Sequence, residues 1–149
     1  VMDTRPAEDR YLGFKKEMQA LDIEINEDWI VNTFFNEEGG YESMEKILAM
    51  DKKPSAIFCQ SDMIAIGAIK AIKNAGYTVP DDFSVIGYDG LEIGNYMTPA
   101  LTTIKQDTYT MGEKAADLLI TMIDKPRKNI NPVNLPVDLI VRDSCKKVN

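Results

Sequence analysis

The clearest chemistry in this chain belongs to side chains that follow apolar, strand-like runs. Asp89 follows the apolar run 83–87 on a glycine-flanked turn, and its carboxylate could accept hydrogen bonds from sugar hydroxyls or a base edge. Arg10 follows the start of the chain and offers a forked donor to a polyol or a carboxylate. Phe35 lies in a polar loop and suits stacking on a ring. These residue types predict a site for a small polar ring ligand.

Two more polar side chains, Ser61 and Gln106, follow strand-like runs and complete the candidate set. Ser61 precedes a predicted helix and could face a crevice, while the neighbouring Asp62 is predicted to be the N-cap of that helix. Each remaining candidate also has an ordinary structural explanation: a turn residue for Asp89, a surface salt bridge for Arg10, core packing for Phe35 and a solvated loop amide for Gln106.

The residue types argue against an enzyme. The chain has no histidine, which excludes a His-based triad and an imidazole base. It has no Cys-x-x-Cys pair, no G-x-x-x-x-G-K-[ST] and no G-x-G-x-x-G motif. The acidic pairs at 37–38 and 81–82 are more typical of a solvated helix start or turn than of a metal site. We therefore expect a binding module without catalytic residues, metal or cofactor.

The composition of the chain limits the classes of partner that it is expected to bind. The chain has 149 residues and a net charge of −7, whereas nucleic-acid-binding surfaces are usually basic. No apolar run approaches the roughly 18 residues that span a bilayer. The two cysteines, Cys59 and Cys145, form no disulfide framework, and Cys59 lies in an apolar run typical of a buried thiol. These features predict a protein of the reducing cytoplasm that contacts neither membrane nor nucleic acid through this polypeptide.

The candidate residues must be positioned by alternating helices and strands. Apolar periodicity predicts helices at 7–21, 40–50, 63–74 and 108–124, and strands at 29–33, 56–59, 83–87, 101–104 and 133–141. This order predicts an α/β fold with a mostly parallel sheet and helices on both faces. The opening residues 1–4 look like the tail of a strand, so we expect the sheet to be incomplete at the N-terminus. Open α/β sheets hold ligands beyond the carboxyl ends of their strands, which is where Asp89 falls.

The predicted helix 62–74 carries more apolar residues than one stripe requires. A helix that is apolar on more than one face is buried on more than one side. One side is expected to pack on the sheet, and the excess predicts either a second subunit or an adjacent helix of the same chain. The residues predicted for a dimer interface are Met63, Ile66, Ile69 and Ile72.

Several motifs occur together in a recognisable order. They are Arg10-Tyr11-Leu12-Gly13-Phe14, Ser61-Asp62 with Ala65 and Gly67, Gly87-Tyr88-Asp89, and Leu101-Thr102-Thr103-Ile104. In order and approximate spacing the chain resembles the LacI/GalR family of bacterial transcriptional regulators over essentially its whole length. Two positions depart from the common pattern, because Ser61 replaces an Asn and Gly90 replaces an Asp or Asn. Both departures are expected to alter ligand preference.

The resemblance implies a two-lobed core of the periplasmic-binding-protein-like (type I) fold. It places residues 1–106 and 136–149 in the C-terminal lobe and residues 107–135 in the N-terminal lobe, with the DNA-binding headpiece outside this chain. It also implies a set of effector contacts, which are Arg10, Phe35, Ser61, Asp89 and Gln106.

The function expected from this resemblance is that of an effector-sensing and dimerisation module. Its partners would be a small sugar-like or purine ligand, a second copy of the chain, and operator DNA through a helix-turn-helix headpiece only. A periplasmic-type sugar-binding transport receptor, which shares the fold, is the alternative.

Overall fold

The computed structural model describes residues 4–125 and 131–147. Its helices are α1 (Arg5–Ala20), α2 (Glu37–Leu48), α3 (Asp62–Asn74) and α4 (Thr108–Asp124), with short 3-10 turns at Glu27–Trp29 and Glu92–Tyr96. Its strands are β1 (Ala56–Phe58), β2 (Ser84–Asp89), β3 (Thr102–Gln106) and β4 (Val137–Ile140). Within these ranges, no helix combines the length and apolar character needed to cross a membrane.

The strands form one sheet in the order β1-β2-β3-β4. The pairs β1–β2 and β2–β3 are parallel, and β4 joins β3 in the antiparallel sense. The prediction of a mostly parallel sheet is thus confirmed. Because β1, β2 and β3 run the same way, the segments that follow them meet at one edge, which we call the carboxyl edge.

Helices cover both faces of this sheet. On one face, Phe14 of α1 stacks on Phe58 of β1, with ring centroids 5.6 Å apart. On the other face, Val85 of β2 is fully buried in the hydrophobic core to which α2 and α3 contribute. This arrangement follows from the period-two alternation of side chains along a strand.

Glycines allow α2 and α3 to pack closely. A Cβ at Gly67 would overlap the backbone carbonyl of Glu37, and a Cβ at Gly40 would overlap the carbonyl of Ile64. Ile69 and Ile72 are buried in the core beneath this contact, at 2% and 0% exposure. The prediction that these two residues face a second subunit is therefore wrong, because α2 and the sheet take up the apolar excess of α3.

The other predicted interface residues, Met63 and Ile66, are only partly buried. They remain available to a second subunit, and their role stays a prediction.

The predicted strand at 29–33 does not form. Glu27–Trp29 is a 3-10 turn, and residues 30–34 belong to no helix or strand of the described chain. An apolar groove of about 470 Å³ is lined by Val31 of this segment and by Ile57 of β1. A strand requires a neighbouring strand at hydrogen-bonding distance, and no strand of the described sheet pairs with this segment.

The predicted helix at 108–124 is confirmed as α4, yet no residue of α4 is buried. The crossings between lobes predicted near 106–107 and 136 coincide with the end of β3 and the start of β4. The lobe assignment itself stays a prediction, and its residues 1–3, 126–130 and 148–149 lie outside the described ranges.

Candidate functional site

Three of the five predicted site residues converge at the carboxyl edge. Gln106 Nε2 donates a hydrogen bond to Asp89 Oδ1 at 2.8 Å. Arg10 Nη2 lies 3.8 Å from the same oxygen. The parallel register, in which Asp89 is opposite Lys105, brings the ends of β2 and β3 side by side. We call Arg10, Asp89 and Gln106 the polar cluster.

Arg10 is held in place by two contacts besides its ion pair. Its Nη1 donates to the backbone carbonyl of Gln60 at 2.8 Å. Its guanidinium carbon lies 3.9 Å from the centroid of the Tyr88 ring, which is a cation–π distance. With its side chain 17% exposed, Arg10 is not a solvated surface residue. Because a guanidinium has five N–H donors, others remain for a ligand.

Ser61 performs a structural task in this conformation. It is buried, and its Oγ accepts the N–H of Ile64 at 3.2 Å, so Ser61 is the N-cap of α3. The prediction that Asp62 caps this helix is therefore wrong, since Asp62 is already the first helical residue. A contact between Ser61 and a ligand stays a prediction.

Phe35 lies on the wall of the apolar groove, which Gln60 also lines. Its side chain is 41% exposed, which argues against the core-packing explanation. An exposed ring beside an apolar groove is available for stacking, but the contacts that define the polar cluster do not involve it. Its role in ligand binding also stays a prediction.

Asp62 is a residue that sequence reasoning missed. Its carboxylate is fully buried, with Oδ1 accepting the hydroxyl of Thr103 and Oδ2 accepting the N–H of Leu91, both at 2.6 Å. Gly87 leaves space for this carboxylate, because a Cβ there would overlap Asp62 Oδ1. The sequence carried no signal for this role, since an Asp at a helix start is normally a cap.

The charge state of Asp89 reflects competing neighbours. Burial raises the pKa of its carboxyl above the ordinary value, and the negative charge of Asp62 raises it further. The Arg10 charge and hydrogen bonds from Gln106 and the Asp62 backbone lower the pKa, but only in part. The backbone of Asp89 is also unusual, with a φ of 122°. Asp89 is thus a partly desolvated acceptor held in a strained turn.

The arrangement is suited to recognition. A carboxylate, a guanidinium and a carboxamide offer acceptors and donors at fixed positions for a ligand rich in hydroxyl or ring N–H groups. Burial raises the pKa of the Cys59 thiol to about 12, so this thiol is protonated at neutral pH and is a poor nucleophile. No group of three or more His, Cys, Asp or Glu side chains suited to a metal ion occurs within 4–125 and 131–147.

Comparison with known proteins shows the family to which this chain belongs. The protein-family model for the periplasmic binding protein-like domain matches residues 1–145 of this chain. The chain belongs to this family.

Relatives within the family agree with the motif resemblance. The chain is 45% identical over 137 residues to the HTH-type transcriptional repressor PurR of Histophilus somni, a match that covers 92% of this chain and 41% of that protein. The chain therefore spans less than half the length of this curated relative.

Solved structures give the same result. A LacI family transcriptional regulator from Enterococcus faecium with bound ribose is 33% identical, with a TM-score of 0.80 over 91% of this chain and 50% of that chain. The Escherichia coli transcriptional repressor ascG is 34% identical, with a TM-score of 0.84 over 97% of this chain and 52% of that chain. The predicted resemblance to LacI/GalR regulators and the predicted fold class are confirmed.

Proposed function

We propose that this chain is the effector-sensing part of a LacI-family transcriptional regulator. The observation that carries the proposal is the polar cluster, in which Asp89 accepts from Gln106 and faces Arg10 at the carboxyl edge of parallel strands. This edge is the ligand-binding edge of open α/β sheets. In the full protein, ligand binding here would control how a helix-turn-helix segment binds operator DNA.

The ligand class that fits the cluster is a small sugar. A carboxylate accepts from adjacent ring hydroxyls while a neighbouring guanidinium donates to their oxygens. The Enterococcus faecium regulator of this fold was solved with ribose, which supports a sugar ligand here. A purine base is the second candidate, because its ring N–H groups and ring nitrogens match the same carboxylate and guanidinium.

A regulator is favoured over a transport receptor because the relatives are transcriptional repressors and regulators. A cytoplasmic location, a homodimer and the absence of catalysis are parts of the same proposal. Sequencing the coding region upstream of this chain tests it directly. A helix-turn-helix segment is the expected result, and a secretory signal peptide would favour the receptor.

Ligand binding is tested by calorimetry on the full-length protein. The panel contains pentoses, hexoses, disaccharides and purine bases, and each compound that binds is then tested for its effect on operator affinity. We expect at least one member to bind and to change operator affinity. A protein that binds no member of the panel, or whose operator affinity is unchanged by a bound member, would contradict the proposal.

A further inference from the structure

Asp62 lies directly behind the polar cluster and connects three elements. It belongs to α3, and its two carboxylate oxygens accept from Thr103 of β3 and from Leu91 in the segment after β2. A buried carboxylate is costly to keep unless hydrogen bonds replace its water. Both short bonds come from outside α3, so the carboxylate of Asp62 stabilises the junction of these elements rather than the helix itself.

This junction contains the strained turn. Gly90 has a φ of 76°, which glycine adopts freely, whereas the φ of 122° at Asp89 lies in a region that L side chains rarely adopt. Such a conformation persists only where surrounding contacts enforce it. The two residues after Asp89 are both held by the junction, because Leu91 N–H donates to Asp62 and Gly90 N–H donates to Thr103 Oγ1 at 3.3 Å.

The charges around Asp89 come from each neighbouring element. Arg10 faces it from α1, Asp62 from α3, and Lys105 is its register partner on β3. Only the Arg10 side chain forms an ion pair with Asp89 among the described residues. The direction of the Asp89 carboxylate is therefore set by Arg10, by the hydrogen bonds from Gln106 and the Asp62 backbone, and by the turn that carries it.

We propose that Asp62 is a positioning residue, which aims the Asp89 carboxylate at Arg10 and Gln106 by holding the turn at 90–91. The inference rests on the proposed function only in assuming that Asp89 contacts the ligand. Without the Asp62 carboxylate the turn relaxes toward ordinary strand geometry, and Asp89 loses its bond to Gln106. Asp62 thus determines ligand affinity without touching the ligand.

The test uses the full-length protein with no ligand present. It follows the NMR signal of the Gln106 side-chain amide as the pH is varied. In the native protein this amide should shift as Asp89 titrates, because it donates to that carboxylate. Asp62→Asn keeps the size of the side chain but removes the charge and one acceptor. We expect the titration-linked shift of Gln106 to be lost and Leu91 N–H exchange to become at least tenfold faster.

Asp82→Asn is the matched control. Asp82 also accepts one backbone N–H and one threonine hydroxyl, both from Thr78 at 2.7 Å, but in an exposed turn remote from Asp89. This variant should leave the Gln106 response unchanged. Loss of the Asp62 charge alone moves the midpoint of the Gln106 response, because that charge raises the pKa of Asp89. A purely structural role of Asp62 would therefore lower the melting temperature but leave the amplitude of the Gln106 response unchanged in the folded protein.

Thr103→Val is the second variant, for use if Asp62→Asn does not fold. It keeps the charge of Asp62 and removes the hydroxyl that connects Asp62 to Gly90. We expect a partial loss of the Gln106 response. A folded Asp62→Asn protein, or failing that a folded Thr103→Val protein, whose Gln106 response keeps its native amplitude would overturn the proposal. Because no ligand is used, this result is independent of whether any sugar or purine binds.

Discussion

If the proposed function holds, we expect ligand recognition to depend most directly on Asp89. Replacing it with Ala removes a charged acceptor, a loss of roughly 1.5–3 kcal/mol, or on the order of tenfold to a hundredfold in affinity. Calorimetry of Asp89→Ala with a ligand identified from the panel measures this loss. Asp81→Ala is a suitable control, because Asp81 is an exposed residue paired with Lys146. Equal affinities for the native and Asp89→Ala proteins would remove Asp89 from the site.

The raised pKa of Asp89 predicts a pH dependence of binding. A ligand hydroxyl needs the ionised carboxylate as its acceptor, and burial together with the Asp62 charge favours the protonated form. Affinity should therefore fall, on acidification, at a higher pH than an ordinary Asp would give. Calorimetry across a pH series measures the midpoint. In Asp89→Asn this acidic transition should disappear, and its persistence would assign it to another group.

The same shift has a consequence for stability that runs in the opposite direction. The folded-state pKa of Asp89 is above the unfolded value, so folding favours the protonated carboxyl. Its stabilising contribution is present below the unfolded pKa and is lost as pH rises through the folded pKa. The free energy of the native state and the affinity for ligand therefore respond oppositely to the titration of one residue.

At the scale of elements, the contact between α2 and α3 depends on missing side chains. Gly67→Ala places a Cβ against the Glu37 carbonyl, and overpacking of this kind costs about 1–3 kcal/mol or more. Gly112→Ala in α4 is the matched control, because a Cβ there meets nothing within 4 Å. The control should be stabilised by about 0.5–1 kcal/mol through helix propensity. Chemical denaturation measures both, and a destabilisation by Gly112→Ala equal to that by Gly67→Ala would contradict the packing argument.

The remaining exposure of α3 predicts where a second subunit binds. Ile66→Glu changes a partly buried residue and should weaken dimerisation of the full-length protein while leaving it folded. Ile69→Glu would instead place a charge in the core, at a residue only 2% exposed, and should unfold the chain. Sedimentation with circular dichroism separates the two effects. A folded Ile66→Glu protein that is still dimeric at micromolar concentration would place the interface elsewhere.

At the scale of the whole molecule, α4 presents a large apolar surface. Leu119, Ile120, Met122 and Ile123 are 55–69% exposed, and Leu139 on β4 is 58% exposed. Surfaces of this kind mark association sites, so the 149-residue chain alone should self-associate. Ile123→Lys should reduce association without loss of helix content. Sedimentation velocity provides the measurement, and a native chain that is monomeric at high concentration would contradict the expectation.

Sequence reasoning was most informative where the place of a residue at the end of a strand-like run also determines where it lies in the folded protein. Positions after strand-like runs made Arg10, Asp89 and Gln106 candidates, because ligands bind beyond the carboxyl ends of parallel strands, and the family resemblance selected them as effector contacts. Asp62 was missed because its partners, Leu91 and Thr103, lie 29 and 41 residues away and only the folded chain reveals them. Residues 29–33 were misassigned because an apolar pattern does not show whether a neighbouring strand is present.

Arg10 connects the proposed ligand site to the attachment of α1. Arg10 fixes this helix to the end of β1, and Phe14 on the next turn stacks on Phe58. A cavity between α1 and the sheet is lined by Gly13 of the helix and by Ile86 and Ile104 of the strands. A ligand that engages Arg10 therefore adds its binding free energy to the attachment of the helix. We therefore expect α1 to be held more firmly when the site is occupied, which would make this helix a reporter of occupancy.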